Sequence, residues 1–250
     1  MIKIKFLSAL LLTLLTIQVQ AAKVQVENIS LVVNTWPPYV DAALDDDGLA
    51  MKIVKTAFKR AGHTATIRIE SWQKALEGSE IGAYDVVGAI WKTKERKTKL
   101  LYSDSYLTNN IVLIANVNNQ QIKFDSLKDL EGILVGVLKD YAYDDKFMKD
   151  PRILKFQANR LTQNLIAVQQ GKLDVAVADK RLAQYELKHF MGNNINDFQF
   201  LPNPLTSRKL YIAAPIANAQ SKTLIKQFNK GLAAIKKDGT YQKILDEYTF

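Results

Sequence analysis

Four short stretches of the 250-residue chain carry the side chains that grip small ions and rings. Trp36-Pro37-Pro38-Tyr39 is a stiff turn presenting two aromatics, and Trp91-Lys92-Thr93-Lys94-Glu95-Arg96 opens on an indole and ends on a guanidinium. Lys139-Asp140-Tyr141-Ala142-Tyr143 adds two phenols, and Asp179 is a single carboxylate closing LDVAVAD. Arginine holds a carboxylate through two parallel hydrogen bonds, aspartate takes an ammonium, and aromatic rings enclose what lies between. Together they make a kit for a small zwitterion. Each also has a plainer use: Asp179 suits a helix N-cap, Trp36 and Tyr39 suit a core, and Lys92, Lys94, Lys97 and Lys99 read as solvated charge around Arg96.

The elements that would position these residues alternate short apolar runs with amphipathic stretches, the pattern of a mostly parallel sheet with helices on its faces. Strands are expected at Ile29 to Val33, Thr66 to Ile69, Asp85 to Ile90, Ile111 to Ala115, Ile133 to Leu138, Leu173 to Ala178 and Leu210 to Ala214. Helices are expected at Leu49 to Ala61, Trp72 to Glu77, Gln163 to Gln170, Lys180 to Phe190, Ser221 to Lys237 and Tyr241 to Tyr248. Gly62, Gly171 and Gly239 stand where helices should stop, and Ser221 is placed to cap the helix it opens. In open α/β sheets ligands sit beyond the carboxyl ends of strands, where the four stretches fall. Composition shifts near NNIVLIANVNNQQ and again near NPLTSRKLYIAAP, so the chain is expected to leave a first lobe, build a second and return. The expected division is a signal peptide over 1–21, lobe 1 over 22–112 and 215–250, and lobe 2 over 113–214. Two crossings would make a hinge, and clefts between domains are favoured ligand sites.

Lys3 and Lys5 precede a mostly apolar run from Phe6 to Ile17 and then Ala21 and Ala22. That run falls short of the ~20 residues that span a bilayer and reads as a secretory signal peptide, cleaved after Ala21 or Ala22, which places the mature chain in a bacterial periplasm. With no cysteine in the chain, disulfides, thiol catalysis and a lipidated cysteine are excluded. The formal charge of +9 falls to +7 once Lys3 and Lys5 are removed, and much of what remains is periodic: Lys52, Lys55 and Lys59 share one helical face while Met51, Val54 and Phe58 share another. No nucleic-acid reader motif accompanies the charge, and no metal cluster, nucleophile–base pair or phosphate loop is seen; no cofactor is expected. His63, after a helix-ending glycine, and His189, near a helix C-terminus, read as structural.

Across nearly the whole mature chain the sequence resembles the periplasmic solute-binding proteins of the amino-acid ABC-transporter type, whose fold is shared with ionotropic glutamate receptor ligand-binding domains. The resemblance is carried by WPPY, DGLAMKIVKTAFKRAG, GAYDVVGAIWKTKERKTKLLYSDSYL, LEGILVGVLKDYAYD, GKLDVAVADKRLAQYEL and FNKGLAAIKKDGTYQKILDEY. It implies a two-lobed type II binding-protein fold with two hinge crossings. It also implies a stacking role for Tyr39, carboxylate binding for Arg96, ammonium binding for Asp179 and a loop-bracing role for Thr93. Three departures stand out. Trp91 replaces a small hydroxyl residue, with Ala89 two positions earlier; Asp140-Tyr141-Ala142 replaces a Gly-Thr-Thr or Gly-Thr-Ser stretch; Ser105 replaces a proline. Lost hydroxyls and added rings point away from a plain polar amino acid toward an anionic or carboxylate-bearing ligand with a flat or apolar body.

The expected function is therefore capture of a small solute between the lobes by a monomer that delivers it to an ABC permease, with Tyr39, Trp91, Arg96, Tyr141 and Asp179 as ligand contacts and Trp36 and Trp72 as walls. Two alternatives are a sensor subunit presenting its closed form to a membrane receptor, and a periplasmic dehydratase of cyclohexadienyl acids. The last needs a general acid, for which Glu95, Asp140 and Asp179 are the nearby carboxyls, and turnover of prephenate or arogenate would reveal it.

Overall fold

Residues 27–139 and 141–248 are described by a computed structural model. The expected signal peptide, its cleavage point and Asp140 lie outside the described residues. The strands are β1 (Asn28–Val33), β2 (Thr64–Ile69), β3 (Val86–Trp91), β4 (Leu100–Tyr102), β5 (Leu107–Asn116), β6 (Leu134–Leu138), β7 (Leu154–Ala158), β8 (Val175–Asp179), β9 (Phe198–Phe200) and β10 (Thr206–Pro215). The helices are α1 (Leu49–Arg60), α2 (Trp72–Glu80), α3 (Asp145–Lys149), α4 (Leu161–Gln169), α5 (Lys180–Phe190), α6 (Ser221–Lys237) and α7 (Thr240–Glu247).

All of these strands join one sheet in the order β2-β1-β3-β10-β5-β8-β6-β7, with β4 on β10 and β9 on β5. β1 runs parallel to both β2 and β3, and β6 runs parallel to both β7 and β8. Between these two parallel groups lie β10 and β5, antiparallel to each other and to their outer neighbours. These two long strands join the parallel groups into one sheet. Strands buried on both faces read as continuous apolar runs, VVGAIW in β3 and VAVA in β8 before its closing Asp179, whereas the edge strand β2 alternates exposed and half-covered positions.

Every expected strand and helix exists, with ends displaced by a few residues. Trp91, expected just after a strand, closes β3 instead, and Asp179 closes β8. The chain also forms β4, β9 and α3, which are too short to show a period, and the edge strand β7, whose LKFQA has no continuous apolar run. Gly62, Gly171 and Gly239 all take positive φ at helix ends, as expected. Ser221 is a correction: its hydroxyl donates to the carbonyl of Pro215 at 2.6 Å, and the cap position belongs to Gln220. α1 and α6 pack through Phe58 and Phe228, with ring centroids 5.3 Å apart, and through Gly231 against the backbone of Ala57.

Candidate functional site

A cavity of about 660 Å³ opens between the two parallel groups of strands. From the first side it is lined by Trp36 after β1, Trp72 at the start of α2, Trp91 at the end of β3, and Arg96. From the second it is lined by Tyr141 after β6, Arg160 before α4, and Leu182, Glu186 and Phe190 on α5. Five of the eight expected site residues therefore meet here: Trp36, Trp72, Trp91, Arg96 and Tyr141.

The aromatic wall is continuous. Trp91 stands edge-on to Trp36 at 5.6 Å and to Tyr141 at 5.2 Å. The guanidinium of Arg96 lies 4.8 Å from the ring centre of Trp72 and donates through Nη1 to the carbonyl of Trp91 at 3.0 Å. Thr93 does not line the cavity. Its hydroxyl accepts from the Arg96 amide at 3.2 Å and so fixes the turn that aims Arg96. No ion-pair partner of Arg96 is found among the described residues, and burial pulls its pKa below the ordinary arginine value. A half-buried guanidinium that retains its charge is a ready anion site.

Tyr39 and Asp179 are placed differently from the expectation. Both are fully buried, neither lines the cavity, and they bond to each other: the Tyr39 hydroxyl donates to Asp179 Oδ1 at 2.7 Å. The same oxygen accepts from the Leu182 amide at 2.9 Å, capping α5, and Oδ2 accepts from Asn109 Nδ2 at 3.1 Å. Asn109 in turn accepts from Trp91 Nε1 at 3.0 Å. Burial raises the Asp179 carboxyl above its ordinary 3.8 despite these donors. Thus in this conformation the carboxylate expected to meet an ammonium is engaged by the protein itself. Of the other acids considered, Glu95 is exposed.

Two residues were missed by the sequence reading. Asn109 sits on the inward face of β5, where Leu107, Asn109 and Ile111 alternate with exposed neighbours; that period-two pattern was its signal. Glu186 lies between Leu182 and Phe190 on one stripe of α5, an acid flanked by apolar residues at four-residue spacing. Of the lysines beside Arg96, Lys92 is more than solvated charge, since its ammonium lies 4.4 Å from the ring centre of Tyr211 and 5.0 Å from that of Tyr102. His189 Nδ1 lies 2.9 Å from the Tyr185 carbonyl, and His63 is buried.

Comparison with known proteins agrees with this architecture. The chain is 24% identical over 219 residues to the ABC transporter arginine-binding protein 1 of Escherichia coli (strain K12), covering 86% of this chain and 87% of that protein. It is 25% identical over 233 residues to the arginine-binding periplasmic protein of Mannheimia haemolytica, covering 90% and 92%. Among solved structures, an ancestral arginine-binding protein bound to arginine superposes with a TM-score of 0.69 at 24% identity, covering 89% of this chain and 98% of that one. A histidine kinase sensor domain similar to periplasmic binding proteins gives 0.70 at 18% identity, covering 88% and 95%. The family model for bacterial extracellular solute-binding proteins, family 3, matches residues 29–250, and the chain belongs to that family as a divergent member.

Proposed function

We propose that the chain is exported to the periplasm on a signal peptide removed after Ala21 or Ala22, binds a small carboxylate-bearing solute between its lobes, and delivers it to an ABC permease as a monomer. Residues 22–112 and 215–250 form lobe 1 in this reading, and 113–214 form lobe 2; both divisions fall within or at the end of the long strands β5 and β10. The observation that carries the reading is Arg96, a half-buried guanidinium with no ion-pair partner among the described residues, at the wall of an aromatic cavity. Arg96 holds the carboxylate, and Trp36, Trp72, Trp91 and Tyr141 enclose a flat or apolar body. Arg96, Lys139 and Arg160 all line the cavity, which favours an anionic or zwitterionic ligand over a purely cationic one. The reading is of a binder rather than a dehydratase, as the similar arginine-binding proteins are binders.

A thermal-shift screen of amino acids and aromatic carboxylates tests the reading, because a ligand that binds only the folded state raises the melting temperature with concentration. The strongest hit is then titrated by calorimetry into Arg96→Ala. Loss of a charge-assisted pair worth ~1.5–3 kcal/mol should weaken binding by roughly tenfold to a hundredfold. Affinity unchanged within about twofold would remove Arg96 from the site.

A further inference from the structure

Helix α5 turns one stripe into the cavity: Leu182, Glu186 and Phe190 follow one another at four-residue spacing and all line it. The middle position is a carboxyl whose Oε2 is buried with no hydrogen-bond partner among the described residues. Burial pushes this carboxyl above its ordinary 4.5, against the Thr162 backbone amide and the positive charge of Arg160, which favour ionisation. Among the described residues it is the only carboxyl lining the cavity. Buried polar atoms are nearly always partnered, so an orphaned carboxylate oxygen on a residue that lines a cavity points to a donor that arrives with a ligand or with water. Two further orphans share this cavity, Trp36 Nε1 and the Tyr141 hydroxyl. Asp179, by contrast, already has both oxygens engaged.

We infer that Glu186 is the cation site of the cavity and takes the ammonium of a zwitterionic solute whose carboxylate is held by Arg96 from the other lobe. Asp179 then serves as an internal clasp. This inference rests on the reading of the cavity as the solute site. It narrows the ligand to a zwitterion, such as an amino acid, that presents its carboxylate to Arg96 and its ammonium to α5, with any aromatic or apolar body against the rings. The Trp36 indole N–H and the Tyr141 hydroxyl are left to bond further polar atoms of the ligand or water.

The chain's three tryptophans, Trp36, Trp72 and Trp91, all line the cavity, so intrinsic fluorescence reports on its occupancy. The exported full chain and its Glu186→Gln variant are titrated with L-phenylalanine, L-arginine and 3-phenylpropionate, the last lacking the ammonium. An amino acid is expected to bind the wild type, and Glu186→Gln to weaken it about tenfold or more while changing 3-phenylpropionate by less than about twofold. Glutamine keeps the acceptor for the Thr162 amide, so the variant should melt no lower than the wild type at neutral pH. Equal amino-acid affinity in the two proteins would overturn the inference by placing the cation elsewhere. So would 3-phenylpropionate binding the wild type as tightly as either amino acid, a comparison that needs no variant. If none of the three probes changes the fluorescence, the reading of the cavity as a solute site falls, and the cation site falls with it.

Discussion

Asp179 accepts hydrogen bonds from Tyr39, Asn109 and the Leu182 amide in a place that water does not reach. Tyr39→Phe removes one of those donors and leaves the buried carboxyl short of a partner, which should cost about 1–3 kcal/mol in urea unfolding. The pH dependence has a defined sign. Burial holds the folded-state pKa above the ordinary 3.8, so the folded chain keeps a proton longer than the unfolded one, and the contribution to stability falls as pH rises through that window. The Tyr39 hydroxyl lowers this pKa, so its loss widens the window. The deficit of Tyr39→Phe relative to wild type should therefore grow as pH rises above about 4, and a constant deficit would show that Asp179 is not the group responsible.

At the scale of elements, α1 and α6 approach closely at Gly231. A Cβ added at Gly231 would lie 1.9 Å from the carbonyl oxygen of Ala57, inside any tolerated contact and against backbone rather than a movable side chain. Gly231→Ala must push the two helices apart, separating Phe58 from Phe228. The expected loss in chemical denaturation is about 3 kcal/mol, the upper end of overpacking costs. A loss under about 1 kcal/mol would mean that the helices slide without cost. Because α6 follows β10, this packing also anchors the end of the chain against α1.

For the whole molecule, β5 and β10 join the two parallel groups of strands, while the bond from Tyr39, after β1, to Asp179, at the end of β8, ties those groups together directly. A clasp of this kind biases the ligand-free chain toward closure, because opening would strip a buried carboxylate of a donor. Small-angle scattering of ligand-free Tyr39→Phe should show a larger radius of gyration than wild type. Tyr106→Phe is the control: it removes a buried bond to the Gly88 carbonyl at 2.8 Å that stays beside β3, so it should lose stability without expanding. Equal expansion in both variants would assign the effect to general loosening.

The sequence alone determined the family, the seven main strands and six main helices, and the aromatic and guanidinium groups that line the cavity, because each of these is written in local period, in glycine placement or in contiguous motifs. Alternation in β5 and the stripe on α5 also carried Asn109 and Glu186, but a period marks only which way a side chain faces. It does not say whether that face meets core or cavity. Only tertiary structure decided that Tyr39 and Asp179, 140 positions apart, satisfy each other, and that Trp91 donates to Asn109. The physical reason is competition for hydrogen bonds. A carboxylate after a strand can take a ligand's ammonium or the protein's own donors, and which it takes depends on groups brought to it by distant chain.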